Sequence, residues 1–556
     1  MQKGEKMRLC NPKTKKETGF EYVVNALRIL TPYGRKRVAA VKAFGPGQEV
    51  LLRNELNRLG ETIDILDKNQ EQAELIQDTL AGIKDNTFTI ERSSNNTLSV
   101  VELYEIKTLL IQMERIGEYL NAIRLSGGRV PIEFQLLDLK SLLNTLDPGE
   151  ERINTFYIYD SFSDRLADLR KKKRQIELDI RKAKKEQKCR VETKYSIVMT
   201  PKFEYMVAKA DKLLIERTSK IPELALVDED YMTAVFSLKN SGKVDEMVER
   251  MEEINTAIDE EELVVRERLS HKIGDNREDL IKNCGVIGKL DFNFAKANFS
   301  RQNNCTKPEI ADDHLLKIQE GRQLMLEHIL KKKNENYCPV SIELDDGVTC
   351  ITGANMGGKT ITLKMIGQCV LLAQHGFFLP CTRSVVGLSG YIHILVGDSQ
   401  NIQRGLSSFG SEMEELKDIF DRSKNRSLLL IDEIASGTNP IEGWALTRSV
   451  INYLCDKPYM SLITTHFDNV SIGDKIRNLQ VRGLANVNFE NLSREIRYAN
   501  RKERIEIISK YMDYRLAEVY ENMEIPKDAL NIAQMLGINR DIIELARKFM
   551  EDRKDE

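Results

Sequence analysis

Apolar residues recur in distinct rhythms along this 556-residue chain. Between residues 163 and 190, Leu166, Leu169, Ile176 and Ile180 keep a heptad seam inside a charged stretch, with Lys173 interrupting it. Val244, Met247, Met251, Ile254 and Ile258 repeat the same three-then-four spacing. Such seams predict long helices that pair as a coiled coil. Other stretches are short, unbroken apolar runs. Val348 to Thr352, Ser427 to Ile431 and Met460 to Thr465 read as buried strands, the composition expected of a parallel sheet. Ile361, Leu363, Ile366 and Val370 suit one face of a helix after the first of these strands. Tyr195 to Met199 and Thr233 to Leu238 predict strands between the two long helices. No apolar run reaches the roughly 18 residues of a membrane span, and MQKGEKMRLC has no signal-peptide core.

Charge changes the reading of the long helices. Residues 163–190 hold twelve Lys/Arg and five Asp/Glu, and residues 243–262 hold two and nine. The net charges, +7 and −7, predict an antiparallel arm whose faces attract each other. RKKKRQIELDIRKAKK alone would suggest nucleic acid, but a neighbouring acidic helix would neutralise it. The segment between, 191–242, has seven basic and eight acidic residues, poor equipment for neutralising phosphates. The whole chain carries −3, so no global basic field points to nucleic acid. Nine scattered cysteines without a C-x-x-C pair, and six histidines, argue against a zinc module or disulfide framework. A cytoplasmic protein of several domains is expected.

The chemistry concentrates after Val348. CITGANMGGKTITL places Gly353 to Thr360 on the pattern G-x-x-x-x-G-K-[ST], between a strand and a helix. Glycines let backbone N–H groups converge on phosphate oxygens. Lys359 would reach the β- and γ-phosphates of ATP, and the Thr360 hydroxyl would ligate Mg²⁺. About seventy residues on, RSLLLIDEIASGTNPIEG ends a buried strand in Asp432 and Glu433. Asp432 would hold Mg²⁺ through water, and Glu433 would polarise the attacking water. The third strand runs into His466, placed to sense the γ-phosphate or orient that water.

TGANMGGKT, LSSFGSEM, LLLIDEIASGT and TTHF together, in this order from Tyr337 to about Val481, resemble the ATPase of the MutS family. The resemblance implies that Ala354, Asn355, Met356 and Gly357 belong, with Gly353 and Gly358, to an extended phosphate loop. Tyr337 matches an aromatic residue that stacks on adenine. Ser407 matches a serine that reaches the partner's γ-phosphate across a dimer, and Ser436 to Pro440 a dimer-contacting loop. Ala354 stands where proline is usual, Ile361 where threonine is common and Glu442 where aspartate is; none of these removes a ligating group. Gly410 and Ser411 replace larger residues after Phe409.

The resemblance extends to GFEYVVNALRILTPYGRKRVAAVKAF and to LDFNFAKANFS, similar to the family's helical core. It implies a multi-domain chain: helical core 1–160, coiled-coil lever with a clamp-like β-rich tip 161–265, return helices 266–325, α/β P-loop ATPase of the ABC superfamily 326–500, and C-terminal helices 501–556. Two helices around Gly537 would form a helix–turn–helix for dimer contact. Tyr498 to Met523 matches nothing. Mismatch-reading relatives carry two earlier domains with an F-x-E wedge; this chain is expected to start too late for them, and no F-x-E occurs ahead of Phe549 near its C-terminal end. The expected function is an ATP-hydrolysing homodimer of the DNA-repair and recombination class, clamping double-stranded or branched DNA without a mismatch wedge. The alternative is an ATP-driven switch that clamps a protein, such as a reactivating partner of a cobalamin-dependent lysine aminomutase.

Overall fold

The computed structural model describes residues 9–153, 155–353, 358–397, 408–435, 437–467, 470, 473, 475–484, 487, 492, 495–496, 504, 507, 510–519 and 528–552. The chain mixes helices with sheets and divides into two units. One comprises Met1–Ala81, Tyr119–Gln135 and Ile287–Glu556; the other comprises Gly82–Glu118 and Leu136–Val286. Strands of the second unit are β1 (Glu204–Ala208), β2 (Leu224–Glu229) and β3 (Thr233–Leu238). Those of the first are β4 (Glu309–Ala311), β5 (Leu316–Gly321), β6 (Val340–Leu344), β7 (Gly347–Thr352), β8 (Arg383–Gly387), β9 (Tyr391–Leu395), β10 (Ser427–Asp432), β11 (Tyr459–Thr464), β12 (Ile476–Gly483) and β13 (Asp513–Glu518).

In the first unit, the three apolar runs lie side by side. A sheet ordered β13-β12-β7-β11-β10-β9 is parallel except for the β12–β13 pair. Every residue of β10 is buried, as an unbroken apolar run predicts for a strand covered on both faces. The helix Lys359–Gln374 follows β7, but it is buried nearly all round and not on one face alone. Met365, Cys369, Leu371 and Leu372 share the core with Leu363, Ile366 and Val370. A helix apolar on every side is enclosed by its neighbours. Gly367 permits this closeness, since a Cβ there would lie 2.4 Å from Thr18 Cγ2. A second sheet is ordered β4-β8-β5-β6.

In the second unit, the helices Asp164–Tyr195 and Gly242–Asp275 pack antiparallel. Seam residues Leu166, Val244 and Ile258 are buried, and Leu169, Ile176, Ile180, Met247, Met251 and Ile254 are half-buried. Their ends meet through Arg170–Glu262 at 2.7 Å, Arg165–Glu261 at 3.6 Å and a hydrogen bond from Ser163 to Glu261. Lys171, Lys172, Arg174, Arg181, Lys182, Lys185 and Arg190 are exposed. Among the described residues, these charge pairs between the two helices stand at one end of their shared seam. Much of the expected neutralisation along the shared length gives way to a solvated basic face.

Beyond these helices lies a small sheet ordered β1-β3-β2, with the helix Lys212–Ser219 packed on it. Thr233 to Leu238 is a strand as predicted, but Tyr195 to Met199 is not. The basic helix runs on to Tyr195, because Gln187, Val191 and Tyr195 continue one buried face at four-residue spacing. Ser196 then turns left-handed, at φ 51°, and Ile197 and Met199 enter the core of the small sheet as a connector. At the C-terminus, helices Asp528–Met535 and Arg540–Asp552 flank Gly537, whose φ of 95° closes the first. No helix among the described residues is long and apolar enough to cross a membrane.

Candidate active site at the strand ends

Strand register assembles the site. Asp432 of β10 pairs with Thr464 of β11, and Thr464 pairs with Ile351 of β7. The carboxyl ends of three neighbouring parallel strands thus reach one edge of the sheet, where open α/β sheets place their ligand crevice. β7 leaves through Gly353 at φ 131°, and the next helix opens after Gly358 at φ 76°. Both values suit glycine. Glycine at the N-cap has no side chain with which to cap that helix, and a helix N-terminus suits an anion.

The side chains converge there. Lys359 is nearly inaccessible to solvent, and its Nζ donates to the Gly353 carbonyl at 2.7 Å and lies 3.0 Å from Glu433 Oε1. The Thr360 hydroxyl donates to Asp432 Oδ2 at 2.6 Å, and the Thr464 hydroxyl donates to Asp432 Oδ1 at 2.5 Å. A hydroxyl and a carboxylate joined at that distance can share a hard cation such as Mg²⁺, which takes oxygen ligands. Glu433 departs from strand geometry at φ 49°, and its N–H donates to the Thr464 carbonyl at 3.1 Å and hydroxyl at 3.2 Å. A non-glycine residue in this region costs about 1 kcal/mol or more. Here it turns the carboxylate from the strand towards Lys359. Ala435, also left-handed at φ 59°, donates its N–H to Glu412 Oε1 at 2.8 Å. Burial raises the Glu412 carboxyl above its ordinary pKa.

Of the residues singled out from the sequence, Gly353, Gly358, Lys359, Thr360, Asp432 and Glu433 gather at this edge. His466 is two residues past Thr464, exposed, with its ring 4.5 Å from that of Phe467. Tyr337 is half-buried just before β6; burial pushes its hydroxyl up to about 12, against a backbone hydrogen bond from Gln323. Its neighbours Cys338 and Pro339 line a cleft of about 790 Å³ with Arg482, Tyr511, Asp513 and Arg515. Ala354, Asn355, Met356, Gly357, Ser407 and Ser436 lie outside the described residues.

Three residues at the site escaped the sequence reading. Thr464 and Glu412 belong to quoted stretches, but their roles depend on strand register and helix packing. Tyr514 lies in the stretch that matched nothing, yet a Cβ on Gly358 would stand 3.0 Å from its Cδ1.

The family MutS domain V matches residues 349–552. Similar curated proteins are each described as Endonuclease MutS2. One from Clostridium botulinum is 33% identical over 255 residues, 44% of this chain and 31% of that protein. One from Clostridium tetani is 32% identical over 318 residues, 55% of this chain and 37% of that protein. One from Bacillus mycoides is 27% identical over 431 residues, 73% and 52% respectively. The chain spans between about a third and a half of these relatives.

Proposed function

We propose, from the premise that this chain belongs to the MutS family, that it is an ATP hydrolase of the DNA-repair and recombination class. The carrying observation is the Thr360–Asp432–Thr464 hydrogen-bond chain beside the Lys359–Glu433 pair, all at one sheet edge. In this reading Lys359 leaves Glu433 for the β- and γ-phosphates, and the freed carboxylate positions the attacking water. Thr360 and Asp432 would hold Mg²⁺, which neutralises phosphate charge when bound. Ser407 would complete the site of a second copy, making the chain a homodimer, and His466 would orient water or sense the γ-phosphate. Tyr337 would carry the adenine.

Double-stranded or branched DNA is the client that the family and its named relatives favour. The exposed basic face from Lys171 to Arg190 supports that reading, because non-specific affinity comes from neutralising phosphates. A protein client is the second reading, and the composition of the small sheet favours it.

Two variants test the hydrolase. Glu433→Gln should bind ATP as the parent does and lose turnover, since the carboxylate serves water and not nucleotide. Lys359→Ala should weaken ATP binding itself. Parental hydrolysis by Glu433→Gln would remove the catalytic assignment.

A further inference from the structure

The hairpin β2–β3 exposes four large apolar side chains. Leu226 is 52% exposed, Val227 58%, Met232 74% and Tyr231 96%. β2 is an edge strand, paired with β3 alone. Its pairing slips between Leu226 and Asp228, which face Phe236 and Val235, so Val227 is the extra residue of a bulge. A bulge spoils the edge as a template for another strand. Recognition here would run through side chains and not through an added strand.

Between the two apolar pairs stand three consecutive carboxylates, Asp228, Glu229 and Asp230. Asp230 accepts the N–H groups of Met232 and Thr233 at 2.7 and 2.6 Å, which holds its pKa below the ordinary value and keeps it ionised. Asp228 accepts the Glu229 N–H at 2.8 Å. Lys209 lies 2.6 Å from Glu229 and is thereby partly neutralised. Phosphates approaching this hairpin meet carboxylates first, whereas binding to DNA gains from basic groups. Exposed tyrosine and methionine, by contrast, are residue types enriched in protein interfaces.

We propose that the β2–β3 hairpin is a docking surface for a protein partner, with Tyr231 and Met232 as anchors and Asp228 to Asp230 selecting a basic-rimmed apolar patch. This goes beyond the hydrolase reading and leaves the basic helix free to meet DNA.

The test uses the full chain and fluorescent 12-residue peptides alternating valine with lysine or valine with glutamate. The lysine peptide should bind at least tenfold more tightly than the glutamate peptide. Tyr231→Ser with Met232→Ser should weaken it about tenfold or more, and Asp228→Lys with Glu229→Lys should reverse the preference. ATP turnover should stay parental in all these variants, which separates failure here from failure of the hydrolase reading. Thermal melting confirms folding; Asp230 is left unchanged so that it still accepts the N–H groups at 232 and 233. Lysine-peptide binding indifferent to Tyr231, Met232 and the charge reversal would overturn the proposal. So would 40-base-pair duplex binding abolished by Lys202→Ala, Lys209→Ala and Lys212→Ala together but untouched at Tyr231, which would make the sheet a DNA grip.

Discussion

Thr464→Val removes one hydroxyl from a fully buried position while keeping the side-chain shape. That hydroxyl donates to Asp432 Oδ1 at 2.5 Å and accepts the Glu433 N–H at 3.2 Å, so it orients both carboxylates. A hydrogen bond to an ionised partner is worth about 1.5–3 kcal/mol. If that orientation is spent in the transition state, turnover falls by about 10- to 150-fold. Losses of about 10- to 100-fold are usual when a group behind a metal ligand is removed. The strand itself should survive, because the Glu433 N–H keeps the Thr464 carbonyl at 3.1 Å. The assay is ATP turnover against Mg²⁺ concentration, with thermal melting alongside. Turnover should drop and more Mg²⁺ should be needed, with little change in melting. Thr464→Ser, which restores the hydroxyl, should recover most activity. Parental turnover and Mg²⁺ dependence in Thr464→Val would show that Asp432 needs no such support, and the metal assignment would lose its basis.

Mixing Ser407→Ala with Lys359→Ala subunits should restore activity if Ser407 acts across a dimer, since one of the two composite sites then contains neither defect; heterodimers without recovery would refute the trans role. Binding to duplex with one mismatch should equal binding to perfect duplex, and any DNA affinity should fall steeply with salt; a clear mismatch preference in a titration would overturn this. Lys296 is fully buried, with Nζ 2.7 Å from Glu55 Oε1 and 3.1 Å from the Gly376 carbonyl, so Lys296→Met should cost about 3–5 kcal/mol in urea unfolding by stranding Glu55. Lys296→Met with Glu55→Gln should recover most of that cost, and equal loss in single and double variants would show that the pairing is not what matters. Glu55 is pushed up by burial, but Lys296 and Arg58 outweigh this and hold it at about 2 against 4.5. Its contribution, roughly 3 kcal/mol, should therefore be present above about pH 4.5 and disappear as pH falls towards 2; a pH-melting profile flat over that range would contradict it.

What could be read from the sequence is what local chemistry dictates. An unbroken run such as Ser427 to Ile431 can only be a covered segment, and carboxylates directly after it must sit at its end, so Asp432 and Glu433 were legible. Glycines at 353 and 358 announced the turn before Lys359. Where the reading failed, the deciding contact lay elsewhere in the chain. Tyr195 looked like the start of a strand because its β-like neighbours outweighed the four-residue rhythm from Gln187 and Val191, which becomes visible only once the small sheet's core gathers them. The arm's equal and opposite charges suggested mutual neutralisation, but charge totals carry no register, and Arg165 and Arg170 pair with Glu261 and Glu262 while Lys171, Lys172, Lys182 and Lys185 are exposed.

The same limit explains Tyr514. The positive φ of Gly358 already accounts for glycine at that position, and nothing in the motif asks for a second reason. The second reason is that β13, antiparallel to β12 at the sheet edge, lays an aromatic ring whose nearest atom is 3.0 Å from where a Cβ would stand. Any side chain at 358 therefore meets both backbone strain and Tyr514, so Gly358→Ala should impair the loop even where its N–H groups remain. Tyr514→Ala relieves only the second obstacle. If Gly358→Ala with Tyr514→Ala recovered full ATP binding, steric contact alone would govern this glycine; partial recovery is expected, because the left-handed backbone still favours glycine.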